Sequence, residues 1–154
     1  MQKILPEVKD YRKGNGRTNN FNSIILEAET TVLSSDDLRE LLEIKLWNYT
    51  EIKIVESEND KRKSLTLKLK VGLGIFETTN RLLFKKQGYF LEVKSDEVQL
   101  FYEARPGLVN GLSTLKQLFK EQDNAYYLDC TTIKDWPSIE QRSISNTFGW
   151  YAGY

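Results

Sequence analysis

Chemistry in a protein chain needs a nucleophile, a proton carrier, a metal cluster or a charged cradle, and these 154 residues supply few of them. There is no histidine. That excludes Ser-His-Asp and Cys-His catalysis, and every histidine-containing metal site, within the chain. Cys130 is the single cysteine, so it can make neither an internal disulfide nor a thiolate zinc site. It closes an apolar run and reads as a small buried hydrophobe rather than a nucleophile. The longest basic cluster, Lys61-Arg62-Lys63, follows Glu56, Glu58 and Asp60, which is the pattern of a solvated turn. Lysine plus arginine and aspartate plus glutamate both number 22. A net charge of zero removes any whole-molecule argument for nucleic acid. With no phosphate loop and no nucleophile motif either, catalysis by this stretch itself is the least favoured reading, and no cofactor and no metal are expected.

Aromatic residues offer a different chemistry, stacking. Trp150, Tyr151 and Tyr154 crowd the end of the chain, where they can lie on a sugar ring or fill an apolar core, and we favour the core. In Asp135-Trp136-Pro137 the proline holds Trp136 extended. The Trp136 indole is large enough to cover a seam between domains, so Trp136 and Pro137 are the candidate interdomain packing residues.

The elements that would carry these residues are readable from periodicity. Residues 1 to 22 form an arm with little pattern, in which Gly14-Asn-Gly-Arg-Thr-Asn-Asn reads as turn or loop. Ser23 to Ala28 has strand length. Ser34 or Ser35 can cap a helix that has Asp36 and Asp37 in its first turn and Leu38, Leu41, Leu42 and Leu46 on one stripe. Ile52 and Ile54 alternate with charges, as in a half-buried strand. From Ser64 to Val71, Leu65, Leu67, Leu69 and Val71 alternate with Thr66, Lys68 and Lys70, so one face is apolar and the other wet. The stretch from Ile75 to Gln87 is ambiguous. Tyr89, Leu91 and Val93 share a face on the next strand, Lys94 to Glu97 turns, and Val98, Leu100, Tyr102 and Ala104 return. After Arg105-Pro106-Gly107 a second helix places Leu108, Leu112, Leu115, Leu118 and Phe119 on one stripe. Tyr126 to Cys130 is the last strand. Two one-striped helices and one-faced strands predict an α+β domain, with both helices on one face of a mostly antiparallel sheet.

The chain has room for one domain of ordinary size, and its 40% hydrophobic and 29% charged residues are those of a globular protein. The start, Met-Gln-Lys-Ile-Leu-Pro-Glu, lacks the features of a signal peptide, and no window approaches the ~18 apolar residues of a membrane span. The default expectation is a cytoplasmic chain with no membrane partner. Asn48-Tyr49-Thr50 fits the glycosylation pattern, and without a secretion signal we attribute it to chance. Three of the last five residues are aromatic. We expect residues 1–137 to be one domain and 138–154 to enter a second one that the chain does not contain.

Four segments in order carry a family resemblance. Gly88-Tyr-Phe-Leu-Glu-Val-Lys, Val98-Gln-Leu-Phe-Tyr-Glu-Ala, Gly107-Leu-Val-Asn-Gly-Leu-Ser-Thr-Leu-Lys-Gln-Leu-Phe and Ile133-Lys-Asp-Trp-Pro-Ser-Ile-Glu-Gln-Arg resemble the N-terminal α+β (zincin-like) domain of β-N-acetylhexosaminidases and its joint into the catalytic barrel. The early Ile4-Leu-Pro and the Leu38-to-Leu46 helix fit as well. Beside the resemblance stands a packing account. Gly107 and Gly111 thin one side of the helix for close approach to the preceding strand, the leucines fill the sheet face, and Thr114 and Gln117 can bond to backbone at the domain joint.

The resemblance implies a non-catalytic accessory domain that packs on and supports the (β/α)8 barrel of the same polypeptide. In this family the acetamido group of a terminal N-acetylhexosamine attacks its own anomeric carbon, assisted by an Asp-Glu pair on a later barrel strand. That pair is not in this chain. One position carries over: Arg142 stands where the family's arginine begins barrel strand one and binds sugar hydroxyls, for which its planar fork is suited; a surface salt bridge is the other reading. Ser143 follows Arg142 where the family has glycine, and Asn146 and Thr147 fall near the family's aspartate. A related barrel hydrolase of the α-glucuronidase or α-N-acetylglucosaminidase type therefore stays open. So does a free-standing carbohydrate-binding or protein-interaction module.

Overall fold

A computed structural model describes residues 4, 7–29, 34–46, 53–55, 63–72 and 86–138. Its elements run β1 (Asp10–Arg17), β2 (Ser23–Glu29), α1 (Ser35–Leu46), β3 (Lys53–Val55), β4 (Ser64–Val71), β5 (Tyr89–Val93), β6 (Glu97–Tyr102), α2 (Arg105–Leu118), β7 (Lys120–Gln122), β8 (Ala125–Tyr127) and β9 (Asp129–Asp135). Seven of these strands form one sheet in the order β1-β9-β5-β6-β4-β2-β3, while β7 and β8 make a separate hairpin. The fold is α+β, as the periodicity predicts. Its sheet has two halves. The β1, β9, β5 and β6 neighbours pair antiparallel, whereas β6-β4, β4-β2 and β2-β3 pair parallel. With the β7-β8 hairpin, antiparallel ladders hold a four-to-three majority among the described strands.

One face of the sheet carries the core. Leu65, Leu67 and Leu69 of β4, Tyr89, Leu91 and Val93 of β5, Val98, Leu100 and Tyr102 of β6 and Ile133 of β9 are buried there with Leu38 and Leu42 of α1 and Leu108, Leu112 and Leu115 of α2. Helix α2 lies on β5 and β6, and α1 lies beside α2. Its start is fixed as the sequence predicts. The Ser34 hydroxyl accepts from the Asp37 amide at 3.1 Å, and the Asp37 carboxylate accepts in return from the Ser34 amide at 3.3 Å and the Ser34 hydroxyl at 2.7 Å, a reciprocal cap in which Asp37 fills the role usually given to glutamate.

The arm needs correcting. Residues 10–17 are a strand, not a loop, paired with β9 from Asp10↔Lys134 to Arg17↔Asp129, with the register shifting between Lys13 and Arg17. Gly14-Asn15-Gly16 makes that irregularity: Gly16 has φ +85° and Gly14 lies against the Cys130 backbone. An edge strand with little burial on either face lacks the period-2 signal. The last strand is also divided. Asp123 and Asn124, both at positive φ, form the two-residue turn between β7 and β8, and β9 begins beyond Leu128. Of the half-buried strand read around Ile52 and Ile54, the strand Lys53–Val55 is present; Ile52, most of Ile75–Gln87, and Asn48, Lys61 and Arg62 lie outside the described residues.

Candidate functional site

Among the described glycines, the closest approaches join α2 to the start of β5 and to β6. The chain enters β5 through Gly88-Tyr89, and α2 presents Gly107, Gly111 and Thr114 to it. A Cβ on Gly107 would overlap the Gly88 carbonyl oxygen, with the Gly88 carbonyl carbon at 3.3 Å and Tyr102 Cβ at 3.5 Å. A Cβ on Gly111 would overlap Leu100 Cδ1 and lie 3.2 Å from Tyr89 Cγ. One turn on, Thr114 Oγ1 is 2.5 Å from the Tyr89 hydroxyl. Asn110 Nδ2 closes the arrangement by donating to the Gln87 carbonyl at 2.9 Å. The thin side of the helix is therefore as read from the sequence. The partners of the two polar residues are different: Thr114 meets a tyrosine side chain, and Gln117 Nε2 donates to Ser113 O of its own helix at 3.2 Å.

The opposite face of the sheet is mixed. Phe90 and Phe101 are direct register partners with ring centroids 5.7 Å apart, and Trp136 packs against Phe101. Lys70 Nζ sits 5.5 Å from the Phe101 ring centroid. Alongside runs a charge ladder: Lys68 Nζ reaches Glu97 at 2.6 Å and Glu27 at 3.9 Å, while Lys94 Nζ reaches Glu92 at 3.2 Å and Glu97 at 3.9 Å. These pairs span β2, β4, β6 and β5 and fasten neighbouring strands. At the β7–β9 end, Lys120 Nζ bonds Asp129 at 2.6 Å and Arg17 lies 4.5 Å over the Tyr127 ring.

None of the resolved protonation shifts in the described residues prepares a group for proton transfer at neutral pH. The ammonium of Lys68 and the amide of Gln99 hold the Glu97 carboxyl below its usual range. Asp37 is lowered by the Ser34 hydroxyl and amide. Lys68 and Lys120 are raised, first by hydrogen bonds to Glu97 and Asp129. Burial pushes up the Tyr89 hydroxyl and the Cys130 thiol. Each change strengthens the state the group already holds at pH 7, the reverse of what a general acid or base requires. No group of His, Cys, Asp or Glu among the described residues could hold a metal. No described helix is long and apolar enough to cross a membrane.

Trp136 and Pro137 leave the sheet at the end of β9, each half-buried. Lys9 meets the chain there, on either side of Pro137. Its ammonium lies 5.4 Å from the Trp136 ring centroid and donates to Ser138 Oγ at 2.8 Å, while its amide donates to Asp135 Oδ1 at 3.1 Å. Sequence reasoning misses Lys9, because it lies in an arm without periodicity and its partners come 126 to 129 positions later. Arg142, Ser143, Asn146, Trp150, Tyr151 and Tyr154 lie outside the described residues. Cys130 is buried, as its apolar neighbours predict.

The family model described as "Glycosyl hydrolase family 20, domain 2" matches residues 1–136. No curated protein matches the chain in sequence. Among solved structures, the chain is similar to a β-N-acetylhexosaminidase from Bacteroides fragilis NCTC 9343, with TM-score 0.65 and 18% identity over 90% of this chain and 26% of that one. A GH20 exo β-N-acetylglucosaminidase from Vibrio harveyi gives 0.67 and 16% over 89% of this chain and 19% of that one. A GH20 β-N-acetylhexosaminidase from Streptomyces coelicolor A3(2) gives 0.61 and 16% over 89% and 27%. The chain thus spans between 19% and 27% of the length of these three proteins.

Proposed function

We infer the role of this chain from one premise: it belongs to the glycosyl hydrolase family 20, domain 2, family. The reading that follows is a non-catalytic accessory domain of a β-N-acetylhexosaminidase, which packs on a catalytic barrel of the same polypeptide and supports it. The observation that carries it is where the distinctive residues are used. Gly107, Gly111, Thr114 and Tyr89, which belong to two of the segments that resemble the family, are occupied inside the domain: Gly107 against Gly88 and Tyr102, Gly111 against Leu100 and Tyr89, and Thr114 with the Tyr89 hydroxyl. These four serve its rigidity, and none of them is aimed at a substrate. The directions of the protonation shifts agree, since no group among them is tuned toward neutrality.

On this reading N-acetylated sugar is bound by the barrel, and Arg142 at the joint is the one residue of this chain that would reach it. Trp136 and Pro137 would lie at the seam. The alternative is a free-standing carbohydrate-binding or protein-interaction module; its stacking candidates, Trp150, Tyr151 and Tyr154, lie outside the described residues, and the Trp136 ring is already engaged with Phe101 and the Lys9 ammonium. The discriminating experiment is hydrolysis of a chromogenic N-acetylhexosaminide by the purified 154-residue chain. Release at the buffer-blank rate is expected. Turnover above the blank, lost on Arg142→Ala, overturns the non-catalytic reading. Saturable binding of N-acetylglucosamine, lost on Trp150→Ala, favours the module instead.

A further inference from the structure

The outer ladder of the sheet stops one residue before Lys9. Its last pair is Asp10↔Lys134, and on the other side of β9 the ladder with β5 runs to Tyr89↔Asp135. Where the next bond to β1 would form, the Lys9 amide donates instead to the Asp135 carboxylate, at 3.1 Å. A side chain thus closes the ladder, and the backbone of β9 is released from β1 at that point. Beyond it the chain has four described residues, Asp135 to Ser138. Lys9 holds three of them: Asp135 through its amide, Trp136 with its ammonium 5.4 Å from the ring centroid, and Ser138 through a 2.8 Å bond. The fourth, Pro137, has no amide to give, and its ring restricts both its own φ and the conformation of Trp136. Trp136 is also held from the sheet side, where it packs against Phe101.

We propose that Lys9 is a positioning residue, a clasp that fixes the direction in which the chain leaves the sheet after Asp135. An ammonium is suited to this. It donates to the hydroxyl while its positive charge rests on the electron-rich indole face, and its four-carbon stem spans from the end of β1 to the exit. A neutral residue of the same length would keep the stem and lose both contacts. The clasp itself is independent of the proposed function; its consequence, that Lys9 orients whatever follows the joint, rests on that reading.

The test is ¹⁵N relaxation on the 154-residue chain, comparing wild type with Lys9→Met and Lys9→Arg, with no substrate present. In wild type the Ser138 amide has an order parameter near that of rigid backbone, about 0.85, and in Lys9→Met it falls toward the flexible range below about 0.6. The Trp136 indole N–H resonance moves in the same variant, while the amides of Leu91 and Ile133 keep their shifts. Lys9→Arg retains the wild-type values, because a guanidinium also stacks on indole and donates to a hydroxyl. Ser138 and Trp136 signals in Lys9→Met that match wild type overturn the proposal. So does loss of order spread evenly along β1 and β9, which would make Lys9 a general stabiliser of the edge. Because no activity is read, failure of the accessory-domain reading and failure of the clasp are separate results.

Discussion

Replacing Gly107 by alanine sets two known effects against each other at one position. Within a helix, alanine is favoured over glycine by about 1 kcal/mol. If α2 were limited by propensity, Gly107→Ala would stabilise. Against this, the new methyl overlaps the Gly88 carbonyl oxygen, with the carbonyl carbon at 3.3 Å and Tyr102 Cβ at 3.5 Å. A carbonyl at the mouth of a central strand cannot rotate aside as a side-chain end can. The helix must lift from β5, which also stretches the 2.9 Å bond from Asn110 to Gln87 O and weakens the contact of Thr114 with Tyr89. Overpacking of a tight core costs about 1–3 kcal/mol, and an immovable neighbour places this case at the upper end. The net expectation is destabilisation by about 1–2 kcal/mol, a fall in Tm of roughly 2–8 °C for a chain of this size. Gly111→Ala is the control. Its first obstacle is Leu100 Cδ1, the end of a flexible side chain, so the same propensity gain leaves it within about 1 kcal/mol of wild type. Urea unfolding followed by far-UV circular dichroism measures both, and unchanged m-values would show that the comparison is of native states. A midpoint for Gly107→Ala at or above that of wild type would refute the claim that close approach dictates glycine there.

Three further perturbations probe neighbouring features. Tyr89→Phe leaves Thr114 Oγ1 buried without its 2.5 Å partner and should cost about 1–3 kcal/mol, whereas Tyr102→Phe removes a buried hydroxyl with no partner among the described residues and should be neutral or stabilising in the same urea assay. Burial raises the Tyr89 pKa, so the unfolded chain releases this proton first; stability should fall as pH rises above about 10, the unfolded tyrosine value, and Tyr89→Phe should flatten that alkaline loss in melts from pH 8 to 11. Ser34→Ala removes the α1 cap and should cost about 0.5–2 kcal/mol; Asp37, lowered by that same serine, contributes stability above its unfolded pKa that is lost as pH falls through the folded value, so the variant should also show a shallower acid limb in melts between pH 5 and 2.

The sequence marks burial more clearly than strand direction, and β4 shows why. Its alternating leucines predict one covered face, and Leu65, Leu67 and Leu69 are buried while Thr66, Lys68 and Lys70 stay partly exposed. Yet β4 pairs parallel on both sides. Period-2 alternation reports that a single face is covered, and it does so in either direction; parallel strands usually lack it only because helices cover both their faces. Here the two described helices, α1 and α2, lie on one face, so the parallel half of the sheet resembles an antiparallel one in sequence. Helix α1 supplies the crossover that parallel pairing of β2 and β3 requires, and that connection, rather than the strand pattern, was the available clue. Edge strand β1 fails in the opposite way, having no covered face to announce it.

The same distinction separates the two readings of residues at a site. Gly107 and Gly111 at a spacing of four announce a thin helix side, because the absence of a side chain is a property of the position itself. What they approach is not such a property: Gly88 and Tyr89 are identified only once β5 and β6 are placed. Lys9 is the limiting case. Nothing about a lysine in an exposed arm distinguishes it, and its contacts with Asp135, Trp136 and Ser138 arise because antiparallel pairing of β1 with β9 brings the start of one strand to the end of the other. Register converts a sequence separation of 126 residues into adjacency. The exit of this domain is therefore governed by a residue near the beginning of the chain, and a substitution at Lys9 should be felt at Ser138 before it is felt in the core between them.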